Sequence, residues 1–377
     1  MSIGVAMNYN RFINPYPELV DLNDTPICNR AKLDTGTNCN YNCTFCYYRD
    51  QLHEVTNLDV ILERAKKIKK LGATEIDLSG GESSIHIDWF KILDFCNENF
   101  EHVSTLSNGY KFANYEFLKE SMERGLKEIL FSLHGTEREH NKIVGRKNAY
   151  RDIMMAIENA KRLDMVVRIN CTVTNENALQ LDEYSKIITD IHPFELNYLP
   201  LNYWSDNKKY PAQDYDLLSK HIKHSIDLIT DGTCKNGYDD KIELRVRYAP
   251  FCYFLGYESH LYGHYQHIFD QWDWNICWYD YNDCGDFDNN NNIVNSHELE
   301  ILKKYFKIAK EKINFSYMKV KKCYNCMYFH ICDGIEKQYD NKFIDEIVRP
   351  VASVTNSKKI YDVTHFIRKT RKRSNDE

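Results

Sequence analysis

What most constrains this chain is an alternation. Between Ala31 and Leu201, short apolar and β-branched runs take turns with amphipathic stretches of helical period. Strands are expected at Ala31–Thr37, Thr74–Ser79, His102–Ser107, Glu128–Leu133, Met165–Val173 and Phe194–Leu201. Of the stretches between them, one sets Leu58, Ile61, Leu62, Ala65 and Ile68 on one face, with Asn57 placed to cap it and Gly72 to stop it. A second carries Tyr150, Ile153, Met154 and Ile157, and a third Leu181, Tyr184 and Ile188. Six strands separated by helices imply parallel pairing through right-handed crossovers. That is too few to close an eight-stranded barrel. The expected fold is α/β, a partial (β/α)6 TIM-like barrel followed by a small Cys-rich domain.

The loop after the first strand reads Cys39-Asn40-Tyr41-Asn42-Cys43-Thr44-Phe45-Cys46. Three thiols at C-x3-C-x2-C spacing can converge on one small inorganic centre, and no matching fourth Cys closes the run. Electron-carrying iron–sulfur clusters use four Cys ligands, and structural zinc sites also want four. Three thiolates on a [4Fe–4S] cluster leave one iron open to a substrate. A zinc-stabilised loop whose remaining ligand lies elsewhere is the alternative reading.

The order Cys-x3-Cys-x-Phe-Cys resembles the signature of the radical S-adenosylmethionine (radical SAM) superfamily. The resemblance implies that Cys39, Cys43 and Cys46 hold a [4Fe–4S] cluster whose open iron chelates the amino and carboxylate groups of SAM. It implies reductive cleavage of SAM to methionine and a 5′-deoxyadenosyl radical that removes a hydrogen atom from a substrate. An electron donor such as flavodoxin or ferredoxin goes with that chemistry. Phe45 resembles the apolar residue that packs near the adenine; shielding the cluster from water is a compatible role.

Ligands of parallel α/β barrels sit at the C-terminal ends of the strands. Ser79-Gly80-Gly81-Glu82 follows the second strand. Paired glycines let backbone groups approach a ligand, and the adjacent carboxylate can receive an ammonium. The stretch resembles the family's Gly-Gly-Glu motif, which meets the methionine amino group; an ordinary βα turn is the plainer alternative. Ser107-Asn108-Gly109 resembles a turn near the ribose and carboxylate of SAM. Phe131-Ser132-Leu133-His134-Gly135 resembles a Ser-Leu-Asp-Gly segment, which would set Ser132 on the methionyl carboxylate. His134 replaces the more usual Asp, so no role carries over to it. His140 and Arg146 continue this segment, with exposed loop charges as the alternative. Arg168 and Asn170 alternate with apolar residues and are expected inside the barrel, where a structural hydrogen bond competes with SAM contact.

A second cysteine group, Cys323-x2-Cys326-x5-Cys332, resembles part of the SPASM and twitch auxiliary-cluster domains. A full SPASM domain would continue C-x3-C, where this chain has Glu336 and no later Cys. One auxiliary [4Fe–4S] cluster is therefore expected, with its fourth ligand from Cys252, just after a strand-like run. Cys277 and Cys284 are the reserve choices, and zinc would suit the same thiols. Cys96 and Cys171 read as small core residues, while Cys28 and Cys234 stand alone on loops. Trp272, Trp274, Trp278 and Tyr279 either pack together or line a substrate pocket.

The 377 residues carry a net charge of −6, which offers no bias toward nucleic acid or membrane. Met1–Arg30 lacks the pattern of a signal peptide, and no apolar run is long enough to span a bilayer. The thirteen Cys are thus expected as reduced thiols of a cytoplasmic protein. The expected division is a lead-in over 1–30, the barrel over 31–205, a bridging helix and turn over 206–245, the auxiliary-cluster domain over 246–340, and a C-terminal segment over 341–377. That last segment ends in a basic tail containing Arg368, Lys369, Arg371, Lys372 and Arg373. The substrate class reads as a small molecule or a peptide side chain. A non-catalytic metal-binding scaffold and a radical SAM RNA-modifying enzyme are the competing readings.

Overall fold

A computed structural model describes residues 27–48, 54–201, 213–238, 241–270, 272–274, 294–337 and 344–351. Cys277, Cys284, Trp278, Tyr279 and the basic tail lie outside the described residues. The chain divides into two compact units: Arg30–Tyr248, and Met1–Asn29 together with Ala249–Glu377.

The first unit alternates strand and helix throughout. Its strands are β1 (Arg30–Asp34), β2 (Glu75–Ser79), β3 (His102–Ser107), β4 (Leu126–Ser132), β5 (Val166–Val173), β6 (Glu195–Pro200) and β7 (Glu243–Arg247). Each pairs in parallel with the next, in chain order. Between them run α1 (Leu58–Lys70), α2 (Trp89–Asn99), α3 (Tyr115–Glu123), α4 (Glu137–Val144), α5 (Ala149–Arg162), α6 (Leu181–Ile191) and α7 (Tyr215–Lys235). α1 buries Ile61, Ala65 and Ile68, and Gly72, at φ +97°, turns the chain toward β2.

Two elements extend beyond the expected pattern. α7 starts where the Asp214 carboxylate accepts from the Asp216 and Leu217 amides, and it runs on to Lys235, into the stretch expected as the bridging turn. Gly232 belongs inside this helix because a Cβ there would stand 3.0 Å from the Thr189 side chain of α6. The seventh strand, β7, pairs with β6 from Glu195↔Glu243 to Tyr198↔Val246. Its alternate residues Glu243, Arg245 and Arg247 are charged, and it is the strand-like run expected before Cys252, joined here to the sheet.

Strand side chains alternate between faces. One face of the sheet carries apolar residues such as Leu33, Leu78, Ile129, Ile169, Leu196 and Val246, all buried. The other carries charge. Arg30 of β1 reaches Glu128 of β4 through Nη1–Oε1 at 2.8 Å and Nη2–Oε2 at 3.1 Å. In a flat sheet those strands would stand three spacings apart, roughly 14 Å, so the charged face must be concave. Arg168 of β5 joins Glu128 at 2.6 Å and Glu195 of β6 at 2.8 Å, and Arg245 of β7 meets Glu195 at 2.9 Å. His102 Nε2 lies 3.0 Å from Glu128, and Arg247 donates to Asn197 at 2.9 Å. This ionic layer closes the base of the partial barrel.

In the second unit, α8 (Val294–Ser316) leads into Tyr317–Met318, which pairs antiparallel with Ile335–Glu336. The pair pinches off the loop that carries Cys323, Cys326 and Cys332. Gly334, at φ +106°, closes the loop so tightly that a Cβ there would lie 2.4 Å from the Met318 carbonyl oxygen.

Candidate functional site

The loop bearing Cys39, Cys43 and Cys46 leaves β1 at the C-terminal end of the sheet and is seated on two supports. The first is the Gly80-Gly81-Glu82 turn after β2. The Gly81 amide donates to Gly36 O at 2.8 Å, and the Glu82 amide to Asn38 O at 2.8 Å. A Cβ on Gly80 would stand 2.1 Å from Gly36 O, and one on Gly81 2.1 Å from Asn38 O. These glycines thus let the cysteine loop itself lie backbone-on-backbone against β2. The second support is the C-terminal end of α4. The Asn42 amide donates to Val144 O at 3.2 Å and the Thr44 amide to Ile143 O at 2.9 Å. Tyr41, Ile143, Val144 and Ala149 form a small buried cluster against which Cys39, Cys43 and Phe45 pack. Arg146 sits 5.4 Å from the Tyr41 ring centroid and 4.4 Å from that of Tyr110. Nothing in the spacing of Ile143, Val144 and Arg146 announces this seat; only the preceding resemblance to a family segment pointed near it.

Glu82 is buried and ties the cup together. Its carboxylate accepts from the Asn108 amide at 2.6 Å, Ser107 Oγ at 2.9 Å and the Ser84 amide at 3.3 Å. Burial still outweighs these donors and raises its pKa above the usual carboxylate value. Ser107 Oγ in turn accepts from the Gly109 amide at 3.0 Å. Asn108 turns its side-chain amide toward the cysteine loop, 2.9 Å from Asn40 Oδ1 and 3.9 Å from Cys39 Sγ. The Tyr41 amide also points at that sulfur, at 3.5 Å. Burial, with Glu82 and Cys46 nearby, pushes the Cys39 thiol up to about 11. Binding a metal would release that proton.

Across the cup, Phe45 meets the His134 ring edge-on, with centroids 5.0 Å apart. His134 Nδ1 accepts from the Thr172 amide at 3.1 Å, and His140 Nδ1 accepts from the His134 amide at 3.2 Å. Each ring is therefore neutral and carries its proton on Nε2. Burial, then the neighbouring His140, holds His134 well below the usual imidazole value, and burial brings His140 down to about 4. Ser132, the last residue of β4, pairs in register with Asn170 of β5, and both are half-buried. Arg168, two residues earlier on β5, is sealed between Glu128 and Glu195 and is 1% exposed.

In the second unit, Cys252, Cys323, Cys326 and Cys332 line one pocket together with Lys319. Burial pushes the Cys252 thiol up to about 11 and the Cys332 thiol up to about 12. The Gly334 amide points at Cys332 Sγ at 3.3 Å. Cys96 and Cys171 are buried, and the Cys28 thiol donates to Asp273 O at 2.7 Å. Trp272 is also buried. Among the described residues, no three His, Cys, Asp or Glu side chains converge as a single metal ion would need. No helix among them is long and apolar enough to cross a membrane.

Residues 33–183 match the radical SAM superfamily. The GTP 3′,8-cyclase of Clostridium perfringens is 24% identical over 204 residues, covering 52% of this chain and 62% of that protein. The sporulation killing factor maturation protein SkfB of Bacillus subtilis is 25% identical over 153 residues, covering 40% of this chain and 36% of its own. The chain thus spans less than two thirds of these relatives' length. Among solved structures, Streptococcus suis SuiB bound to its precursor peptide SuiA superposes with a TM-score of 0.55 at 15% identity, over 83% of this chain and 73% of that one. At that identity the likeness is one of fold.

Proposed function

We propose, from the match of residues 33–183 to the radical SAM superfamily, that the chain is an enzyme that cleaves SAM reductively and takes a hydrogen atom from a peptide or small-molecule substrate. The observation that carries this reading is the seating of Cys39, Cys43 and Cys46. They occupy one loop at the C-terminal end of a parallel sheet, and no other Cys lies between Arg30 and Phe95 to complete a four-thiol set. Amide donors already point at Cys39 sulfur, as they do around iron–sulfur centres. When bound, a three-Cys [4Fe–4S] cluster with SAM supplies one-electron cleavage of the sulfonium and hydrogen abstraction.

The chain's own residues hold and orient. Glu82 fixes the Ser107–Asn108 turn against the cysteine loop. Phe45, packed on neutral His134, keeps water from that side. Half-buried Ser132 and Asn170 offer polar groups to SAM or substrate, while Arg168 supports them from the ionic layer beneath. Similarity to a GTP 3′,8-cyclase and to a sporulation killing factor maturation protein supports a reading that spans small-molecule and peptide substrates. Cys252 with Cys323, Cys326 and Cys332 would hold one auxiliary [4Fe–4S] cluster with every iron ligated, suited to receiving an electron rather than binding substrate. Zinc would suit the same four thiols.

The test is anaerobic incubation of reconstituted protein with SAM and dithionite. 5′-Deoxyadenosine should form, and Cys43→Ala should abolish it. Absence of the product from the parent chain, or equal yield from Cys43→Ala, would sink the reading. Iron of about eight per chain is expected, against about four without the auxiliary cluster.

A further inference from the structure

Lys319, directly after the strand that closes the cysteine loop, is half-buried and lines one pocket with Cys252, Cys323, Cys326 and Cys332. It donates to Phe329 O at 2.6 Å and lies 4.7 Å from the Phe329 ring centroid. An ammonium has three donors, and among the described residues that carbonyl is its acceptor. No described carboxylate lies within ion-pair distance of it. Asp333, at the far end of the cysteine loop, is held by His264, at 2.7 Å from Nδ1 and 3.1 Å from the amide. A half-buried ammonium that shares its pocket with four thiols and has no described carboxylate partner favours an anionic occupant of that pocket.

We propose that Lys319 is the counter-charge of the group held by Cys252, Cys323, Cys326 and Cys332, and that it raises the reduction potential of that group. The proposal rests on reading the four thiols as an iron–sulfur site. Four thiolates make such a cluster anionic, and one-electron reduction adds a further negative charge. A fixed cation in a low-dielectric pocket stabilises the more negative state. Charge, hydrogen bonding and solvent exposure set cluster potentials, and Lys319 supplies charge. The consequence is a centre that would be easier to reduce than one without the cation.

The test uses the full chain with Cys39, Cys43 and Cys46 replaced by Ala, reconstituted anaerobically, so that only the second thiol group can load. Iron content and an EPR-monitored redox titration are measured for Lys319, Lys319→Arg, Lys319→Gln and Lys319→Met. The expected result is about four iron per chain, with the potential shifted negative in the Gln and Met variants and restored toward the parent value by Arg. Gln keeps a donor for the Phe329 carbonyl, so it separates charge from the structural hydrogen bond. Loss of iron from both neutral variants while Arg still loads also supports the counter-charge. A parent potential in Gln and Met overturns it. If the parent chain takes up zinc or nothing, the iron–sulfur reading has failed, which is visible before any Lys319 variant is made.

Discussion

Two carboxylates mark the two ends of the same sheet, and they are held in opposite ways. Glu128, at the base, is surrounded by Arg30, Arg168 and His102. Burial alone would raise its pKa, but those charges overcome burial and hold it well below the usual carboxylate range. Glu82, at the open end, is just as buried, yet its partners are amides and hydroxyls, and burial wins. The base is thus an ion lattice whose members satisfy one another. The open end is a set of oriented dipoles with half-exposed Asn108, Ser132 and Asn170 beside them. Polarity at the base organises the fold; polarity at the mouth is available to a ligand.

The sharpest way to break this division is at the base. Glu128→Gln leaves Arg30 and Arg168 sharing the remaining carboxylates, and removing one partner of a buried ionic set costs about 3–5 kcal/mol. Urea unfolding of the iron-free chain should show that loss as a lower midpoint with an unchanged slope. A loss under 1 kcal/mol would mean that the lattice is slack and that the base is no more structural than the mouth.

A smaller effect is expected from the two neutral histidines. Their folded pKa values lie below the ordinary imidazole value, so on acidification the unfolded chain takes up protons first. Stability is whole above about pH 6.5 and is lost as pH falls toward about 4. For His140 the full loss is about 3 kcal/mol. His140→Gln, which can still accept from the His134 amide, should flatten that limb between about pH 4 and 6.5. An unchanged pH profile would show that the rings open to water before they are protonated.

Legibility in the sequence followed the same division. The outer faces of the first six strands are apolar, so their alternation with helices could be read directly. β7 could not be placed in the sheet, because Arg245 and Arg247 face the ion lattice and look, in sequence, like solvent-exposed charges. Cys39, Cys43 and Cys46 were legible because ligand spacing is local. Their seat was not, since the Ile143 and Val144 carbonyls belong to a helix a hundred residues downstream in the chain. Gly80 and Gly81 signalled close approach, but only the fold shows that Gly36 and Asn38 are what approach them. Cys252 was the first choice to join Cys323, Cys326 and Cys332, and the four do line one pocket. Lys319 gave no signal, because an isolated Lys is normally solvated.

The mildest prediction probes the mouth. Ser107 Oγ donates to Glu82 at 2.9 Å and accepts from the Gly109 amide at 3.0 Å. Ser107→Ala removes both bonds and leaves one amide without its acceptor, but Glu82 keeps the Asn108 amide and both Ser84 donors. The expected loss is about 1–2 kcal/mol, smaller than that of Glu128→Gln because dipoles are exchanged rather than a charge exposed. SAM binding by the reconstituted protein, followed through the EPR spectrum of the reduced centre, should suffer more than stability does, since the Asn108 turn loses one of its two ties to Glu82. A stability loss equal to that of Glu128→Gln, with SAM binding intact, would reverse the assignment and make the mouth the structural end of the sheet.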